Sequence, residues 1–404
     1  MSFWDAGLPQ LMNEALVPGA SLAIIRGGRI AEVVSCGVRH SRSPLSVDEN
    51  TVFDAASLSK PIFAQVVLQL VDQGQLTLDT LLVDQLAGYI ANDPRASSIS
   101  VAHALSHSSG LPNWRSLEHP LRTYFSPGER FSYSGEGFLY LQRVVEALTG
   151  EPLEGLAQKL VFEPLGMTRS SFVWERRFEA NRAYGHDVFG TPALGNKPGE
   201  ANAAWSLQTC AVDYARFLIG ALAGTRLRPA TTQLALAPRI QVKHRGIESL
   251  GLSPEVATTG VAWGLGWGLE PGAGTFFHWG PMGRSPPSRL VRCRIEARSS
   301  HLYERRIGAI HHARDRRSFF LRGTPLSGLA RFHTPRGPGS PPVPGSTCTR
   351  HGSGVAGDRE CRTPTGRADL DRARIERARP RKGKPMAART RGHKVKRGMS
   401  VTRS

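Results

Sequence analysis

The sequence predicts an α+β fold over residues 1–280, followed by a segment of a different kind. Three observations carry this. Extended runs stand at the beginning and end of the first part, with apolar residues at helical spacing between them. Charge divides sharply, since residues 1–280 hold 22 Lys and Arg against 25 Asp and Glu, and residues 281–404 hold 30 against 8. All seven Trp lie at or before Trp279.

The elements follow in order. Residues 5–15 carry apolar side chains at helical spacing. Residues 20–26 and 29–36 flank Gly27-Gly28, the pattern of a β-hairpin. Residues 51–56 form a short extended approach to a helix that begins at Ser57 (SLSKPIFAQVVLQLVDQGQL). Pro61 suits an early helical turn, where a missing N–H is harmless, and Gly74 suits the C-terminal cap. Residues 101–108 predict a helix ended by Gly110-Leu111-Pro112. Residues 135–148 predict a strongly amphipathic helix stopped by Gly150, and 153–160 and 210–223 predict two more. Residues 261–269 and 274–279 predict two strands joined through a Pro/Gly turn.

Beyond Gly280 this grammar stops. Leu, Ile, Val and Phe make up 18 of the last 124 residues, below the roughly 20% that marks disorder when charge is high. The net charge of +19 therefore belongs to the tail, and the average misleads about the rest.

Several classes are excluded or disfavoured. The five Cys are odd in number and widely spaced, with no C-x-x-C, which argues against a disulfide framework and a zinc site. His103 and His107 stand at i, i+4, but no acidic third ligand accompanies them. Gly264-x-Gly266 is followed by no helix and is no dinucleotide fingerprint. No metal or organic cofactor is expected. No basic n-region with an apolar run opens the chain, and no apolar stretch of about 18 residues occurs, so the expected compartment is the cytoplasm, without a membrane span.

The chemistry centres on Ser57-Leu58-Ser59-Lys60, the one Ser-x-x-Lys in the chain. At a helix start, positions i and i+3 share a face, so hydroxyl and amine can meet. Free N–H groups at the helix N-terminus favour an anion forming on a substrate. A neutral Lys can take the hydroxyl proton, or a charged Lys can lower the pKa of another base. Taken alone, the four residues also fit a Ser N-cap beside a solvated Lys.

Their surroundings decide between the two. Residues 53–60 (FDAASLSK) and 75–79 (QLTLD), His107-Ser108-Ser109-Gly110-Leu111, Phe131-Ser132-Tyr133-Ser134-Gly135-Glu136-Gly137-Phe138, Pro164-Leu165-Gly166-Met167, Trp263-Gly264-Leu265-Gly266-Trp267 and His278-Trp279-Gly280 occur in that order. Over roughly residues 10–280 the chain resembles the serine β-lactamase and penicillin-binding-protein superfamily, in its class C β-lactamase and carboxylesterase branch. The resemblance implies an antiparallel sheet flanked by terminal helices, with a mostly helical subdomain inserted. It implies Ser57 as nucleophile, Lys60 as its activator and Tyr133 as proton shuttle, the phenol pulled below its ordinary pKa by a nearby ammonium. Gly135, His278 and Gly280 would line the substrate site, and a small-molecule ester or amide would be the substrate. Gly135 stands where the family carries Asn, which makes efficient β-lactam turnover less expected than ester or amide hydrolysis. Two other readings remain open: a penicillin-binding protein that acylates with little turnover, and a degenerate, non-catalytic chain.

The resemblance also implies two further strands and a C-terminal helix after Gly280, and neither is readable. The composition of residues 281–404 is that of a GC-rich gene read in the wrong frame, and out-of-frame translation from about residue 281 is the expectation. The family's second oxyanion donor would then fall on Pro281, which has no N–H. The alternative is a basic tail for nucleic acid or membrane, which calls for organised basic residues with aromatics among them; Tyr303 is the one Tyr and there is no Trp. No specific nucleic-acid partner is expected.

Overall fold

The computed structural model describes residues 3–186, 190–243, 250 and 260–279, and the backbone of 295–298 and 348–351 (for 3–6 also the backbone). By compactness the chain divides into Met1–Gly354, which holds every described element, and Val355–Ser404, outside the described residues.

Helix α1 (Phe3–Glu14) precedes the hairpin β1 (Gly19–Arg26) and β2 (Arg29–Gly37). Its turn is the predicted Gly27-Gly28, with φ of 57° and 70°, the left-handed pair that a two-residue hairpin needs. Leu8 and Met12 of α1 pack on Val34 and Cys36 of β2. Cys36 is disulfide-bonded, where the sequence argued against a disulfide framework, and Cys210 is free and buried.

β3 (Phe53–Ala56) leads to α2 (Ser59–Asp72), the centre of the molecule. Every residue of α2 from Ser59 to Leu70 is buried, so this helix is covered on all sides rather than along one stripe. Its two internal glutamines are satisfied, Gln65 donating to the Thr225 carbonyl at 3.2 Å and Gln69 to that of Leu160 at 3.0 Å. At its end the Gly74 N–H reaches the Val71 carbonyl and the Gln75 N–H that of Leu70, with Gly74 at φ 75°, a Schellman motif built on the glycine the sequence marked.

Around α2 lie α3 (Leu82–Gln85), α4 (Val101–Leu105), α5 (Gly135–Thr149) and α6 (Leu153–Ala157). α4 stops three residues short of the predicted end, because His107 adopts φ 55° and breaks the helical path. α6 continues into one wider turn over Gln158–Phe162. β4 (Leu207–Thr209), α7 (Ala211–Leu222) and α8 (Pro229–Ala235) follow, and α7 packs on β1 and β2.

The chain closes with β5 (Ile240–Gln241), β6 (Ala262–Trp263), β7 (Gly268–Glu270) and β8 (Thr275–His278). The sequence predicted one strand over 261–269. It is a tight hairpin instead, with Gly264 N–H on the Trp267 carbonyl at 2.8 Å and Gly266 at φ 84°. A Cβ on Gly266 would stand 2.5 Å from the Cβ of Ala64, so this glycine also lets the hairpin rest on α2.

Among the described residues the ladders are antiparallel, as predicted, but they divide into three sheets: β1-β2 with β10 (Cys348–His351), β3-β4, and β5-β6-β7-β8 with β9 (Ile295–Arg298). Beyond Gly280, where no strand was readable, β9 (Ile295–Arg298) pairs with β8 and β10 (Cys348–His351) pairs with β2. Backbone pairing to an open sheet edge asks nothing of side-chain pattern, which is why periodicity missed it. The expected disorder and out-of-frame origin of the rest of 281–404 lie outside the described residues. Among the described residues no helix is long and apolar enough to cross a membrane.

Candidate active site

Ser57 sits in the turn between β3 and α2, half-buried, one residue after Ala56 at φ 47°. A left-handed alanine is a strained position, and such strain persists where surrounding bonds enforce it. Ser59 provides them: its hydroxyl donates to the Ala56 carbonyl at 2.6 Å and accepts the Leu207 N–H at 2.9 Å, tying the bend to β4. Of the two serines in the motif, Ser59 is buried in the bend and Ser57 is the one left partly exposed.

Lys60 rises from the first turn of α2 and is fully buried. Its Nζ lies 3.1 Å from Ser57 Oγ and 2.7 Å from the Ala204 carbonyl. It also stands 4.7 Å from the centre of the Tyr133 ring and 5.6 Å from that of Phe138. Among the described residues no carboxylate pairs with it. Burial therefore holds its pKa well below 10.5, since an unpaired buried ammonium is costly. With one N–H given to Ala204, a neutral amine has its lone pair free for the Ser57 hydroxyl.

The Ala204 carbonyl is held from α5. Gln142, fully buried, accepts the Ala203 N–H at 2.8 Å and donates to the Ala201 carbonyl at 3.0 Å. Nothing in the sequence pointed to Ala204, because a backbone acceptor leaves no mark in residue type.

Tyr133 precedes α5, whose N-cap Ser134 accepts the Gly137 N–H at 2.9 Å. The structure reverses the expected titration of this phenol. Burial pushes its pKa above the ordinary tyrosine range, and the Ser57 hydroxyl offsets only part of this. Ser57 is near enough to matter but outside hydrogen-bond geometry, and Tyr133 Oη has no hydrogen-bond partner among the described residues. The ammonium invoked to lower it is itself disfavoured by burial.

His278, at the end of β8, is fully buried with its ring 6.3 Å from that of Tyr133. Its Nδ1 lies 2.8 Å from the Trp279 carbonyl, which assigns the proton to Nδ1 and leaves Nε2 an acceptor without a partner among the described residues. Burial first, and then Lys60, depress its pKa to about 3. Burial, the larger of the two causes, by itself favours the neutral ring. Trp263, also buried, closes the cluster, 6.1 Å from Tyr133 and 5.7 Å from His278 between ring centres.

Gly135 is the first residue of α5, and its N–H is taken by Asn113, through the backbone carbonyl at 3.1 Å and the side-chain oxygen at 3.0 Å. A Cβ there would stand 2.7 Å from the Asn113 carbonyl, so the glycine is a requirement of the fold around it. Gly280 and Pro281, and with them the oxyanion donor expected after the third motif, lie outside the described residues. The structure thus brings Ser57, Lys60, Tyr133 and His278 together and sets Gly135 beside them with its backbone donor engaged.

His103 and His107 do not face one another as a metal pair. His103 closes the capping box of α4 with Ser100, while His107 turns inward onto Tyr133.

The family model described as Beta-lactamase matches residues 4–291. Penicillin-binding protein 4 of Amycolatopsis lactamdurans is 29% identical over 291 residues, which span 66% of this chain and 74% of that one. Esterase EstB of Burkholderia gladioli is 30% identical over 199 residues, 42% of this chain and 50% of its own length. Among solved structures, the octameric penicillin-binding protein homologue from Pyrococcus abyssi superposes with a TM-score of 0.58 at 23% identity, covering 74% of this chain and 73% of that one. The match of family model to sequence, with the Ser57–Lys60 geometry inside it, identifies the chain as a member of the beta-lactamase family.

Proposed function

We propose that this chain is a serine hydrolase that passes an acyl group from an ester or amide through Ser57 to water. The observation that carries the reading is the 3.1 Å separation between Lys60 Nζ and Ser57 Oγ, at an amine whose pKa burial holds well below 10.5. Neutral Lys60 takes the hydroxyl proton as Oγ attacks the substrate carbonyl. As the tetrahedral intermediate collapses, Tyr133 gives its proton to the departing alkoxide or amine and recovers one from Lys60. Water then enters with the same groups acting in reverse, and Ser57 is released. A phenol with a raised pKa suits this part, because it donates and is not held as phenolate.

Esterase or amidase activity is favoured over β-lactamase activity by Gly135. The residue offers no side-chain amide, and its N–H is occupied by Asn113. Steady-state turnover of p-nitrophenyl esters and of a chromogenic cephalosporin, each measured with wild type and Ser57→Ala, tests the reading. Ester turnover lost in Ser57→Ala, with slow cephalosporin turnover, supports it. A lasting cephalosporin adduct without turnover would move the chain to the penicillin-binding reading. A folded chain that takes no adduct from either compound is the degenerate one.

A further inference from the structure

We propose that His107 is a positioning residue for the reaction, holding the Tyr133 phenol over Lys60 and Ser57. The inference rests on the hydrolase reading above and extends it to a residue that touches neither substrate nor nucleophile.

His107 grips three consecutive residues. Its carbonyl accepts the Ser132 N–H at 2.8 Å, and its Nδ1 accepts the Ser134 N–H at 3.0 Å. Between those two bonds its ring stacks on Tyr133, with centres 4.1 Å apart and planes 27° from parallel. Phe138 and Trp263 cover the ring further, at 5.0 and 5.3 Å between centres. The residue is wholly buried and stands at φ 55°, a conformation uncommon for residues other than glycine.

Tyr133 is what makes this grip matter. The Ser57 hydroxyl acts on it, but its Oη completes no hydrogen bond of ordinary geometry among the described residues, so polar bonding alone does not fix where the phenol points. Its direction is set by the backbone of residues 132–134 and by what packs on its faces. His107 supplies two of the backbone anchors and one face. The ring must also be neutral, since a proton on Nδ1 would confront the Ser134 N–H donor to donor. The neutral ring then carries its proton on Nε2, which has no partner among the described residues.

The test compares His107→Asn with His107→Gln in the full-length chain. The two amides are alike, but the Asn oxygen can take the place of Nδ1 and the Gln oxygen that of Nε2. The readouts are the single-turnover rate of acyl transfer from a p-nitrophenyl ester to Ser57, KM, and hydrogen exchange of the peptide holding Ser134. His107→Asn should keep the Ser134 amide protected and acylate about 10-fold faster than His107→Gln, a loss of the size a misplaced group causes, with KM values within about twofold. In a Tyr133→Phe background the difference should vanish, because the effect passes through the phenol. Equal rates for Asn and Gln, or a difference that survives Tyr133→Phe, would overturn the proposal. If the Gln chain does not melt cooperatively, His107→Asn decides alone: Ser134 exchanging faster than in wild type, or a rate loss undiminished in Tyr133→Phe, overturns it. A wild-type chain that takes no acyl group at Ser57 overturns the hydrolase reading; one that acylates while Asn and Gln behave alike overturns this inference only.

Discussion

Lys60 reaches Ser57 from a position that water does not share: the amine is fully buried, the hydroxyl half-exposed, and 3.1 Å separates them. An amine kept dry beside a partly exposed serine is the arrangement from which the expected behaviour follows.

Removing the base should cost rate rather than fold. Lys60→Met keeps the stem and its packing on Phe138, and acyl transfer to Ser57 should fall about 10²–10⁴-fold, the range for a positioned general base. In the wild type, activity should rise with pH as Lys60 loses its proton and level off well below 10.5. A pH profile of kcat/KM with a p-nitrophenyl ester checks this; a rate that climbs steadily to pH 10.5 contradicts a neutral Lys60.

Stability should fall in mild acid. His278 is held at about 3 and His107 also lies well below 6.5, both mainly by burial. Below pH 6.5 the unfolded chain takes up protons that the folded chain refuses, so protons favour unfolding throughout the window from about 6.5 down to about 3. Lys60, depressed in the same sense, adds to this slope at every pH between its folded value and 10.5. Tm measured from pH 8 to 5 should therefore drop, and His278→Asn, which can still donate to the Trp279 carbonyl, should flatten the drop. An unchanged slope in that variant would show that His278 is not a buried neutral group.

Restoring a side chain at residue 135 should harm the protein. Gly135→Asn would drive a Cβ to 2.7 Å from the Asn113 carbonyl, and overpacking of this kind costs about 1–3 kcal/mol. Urea denaturation should show the loss, and cephalosporin turnover should not appear. Wild-type stability with new β-lactam turnover would mean that the Asn113 loop yields easily.

Ser57, Lys60 and Tyr133 were legible because a helix start fixes the first two by spacing and a distinctive local pattern carries the third. What the sequence could not disclose was the state of those groups. How easily Lys60 keeps a proton depends on its burial with no carboxylate pairing with it among the described residues, and on a carbonyl 144 positions later, Ala204. The direction of the Tyr133 shift was misjudged for the same reason, since burial of the phenol outweighs its polar neighbours. In the fold, helix ends were legible where glycine marked them, at Gly74 and Gly150, and not where His107 took a glycine-like φ. The 261–269 run read as one strand because its apolar residues hide a turn at Gly266 made for contact with Ala64.

The segment after Gly280 gives a prediction at the level of the gene. The other reading frames near codon 280 should encode two apolar strands and an amphipathic helix. Resequencing the locus checks this, and frames that encode neither would leave the basic tail as the true product.

The most direct test of the account is to find where an acyl group goes. Brief exposure of the full-length chain to a p-nitrophenyl ester, followed by acid quench and peptide mapping, should place one acyl group on the peptide bearing Ser57. It should be absent in Ser57→Ala and slow to form in Lys60→Met. A folded wild-type chain whose Ser57 peptide remains unmodified, or which is acylated as readily without Lys60, would contradict it.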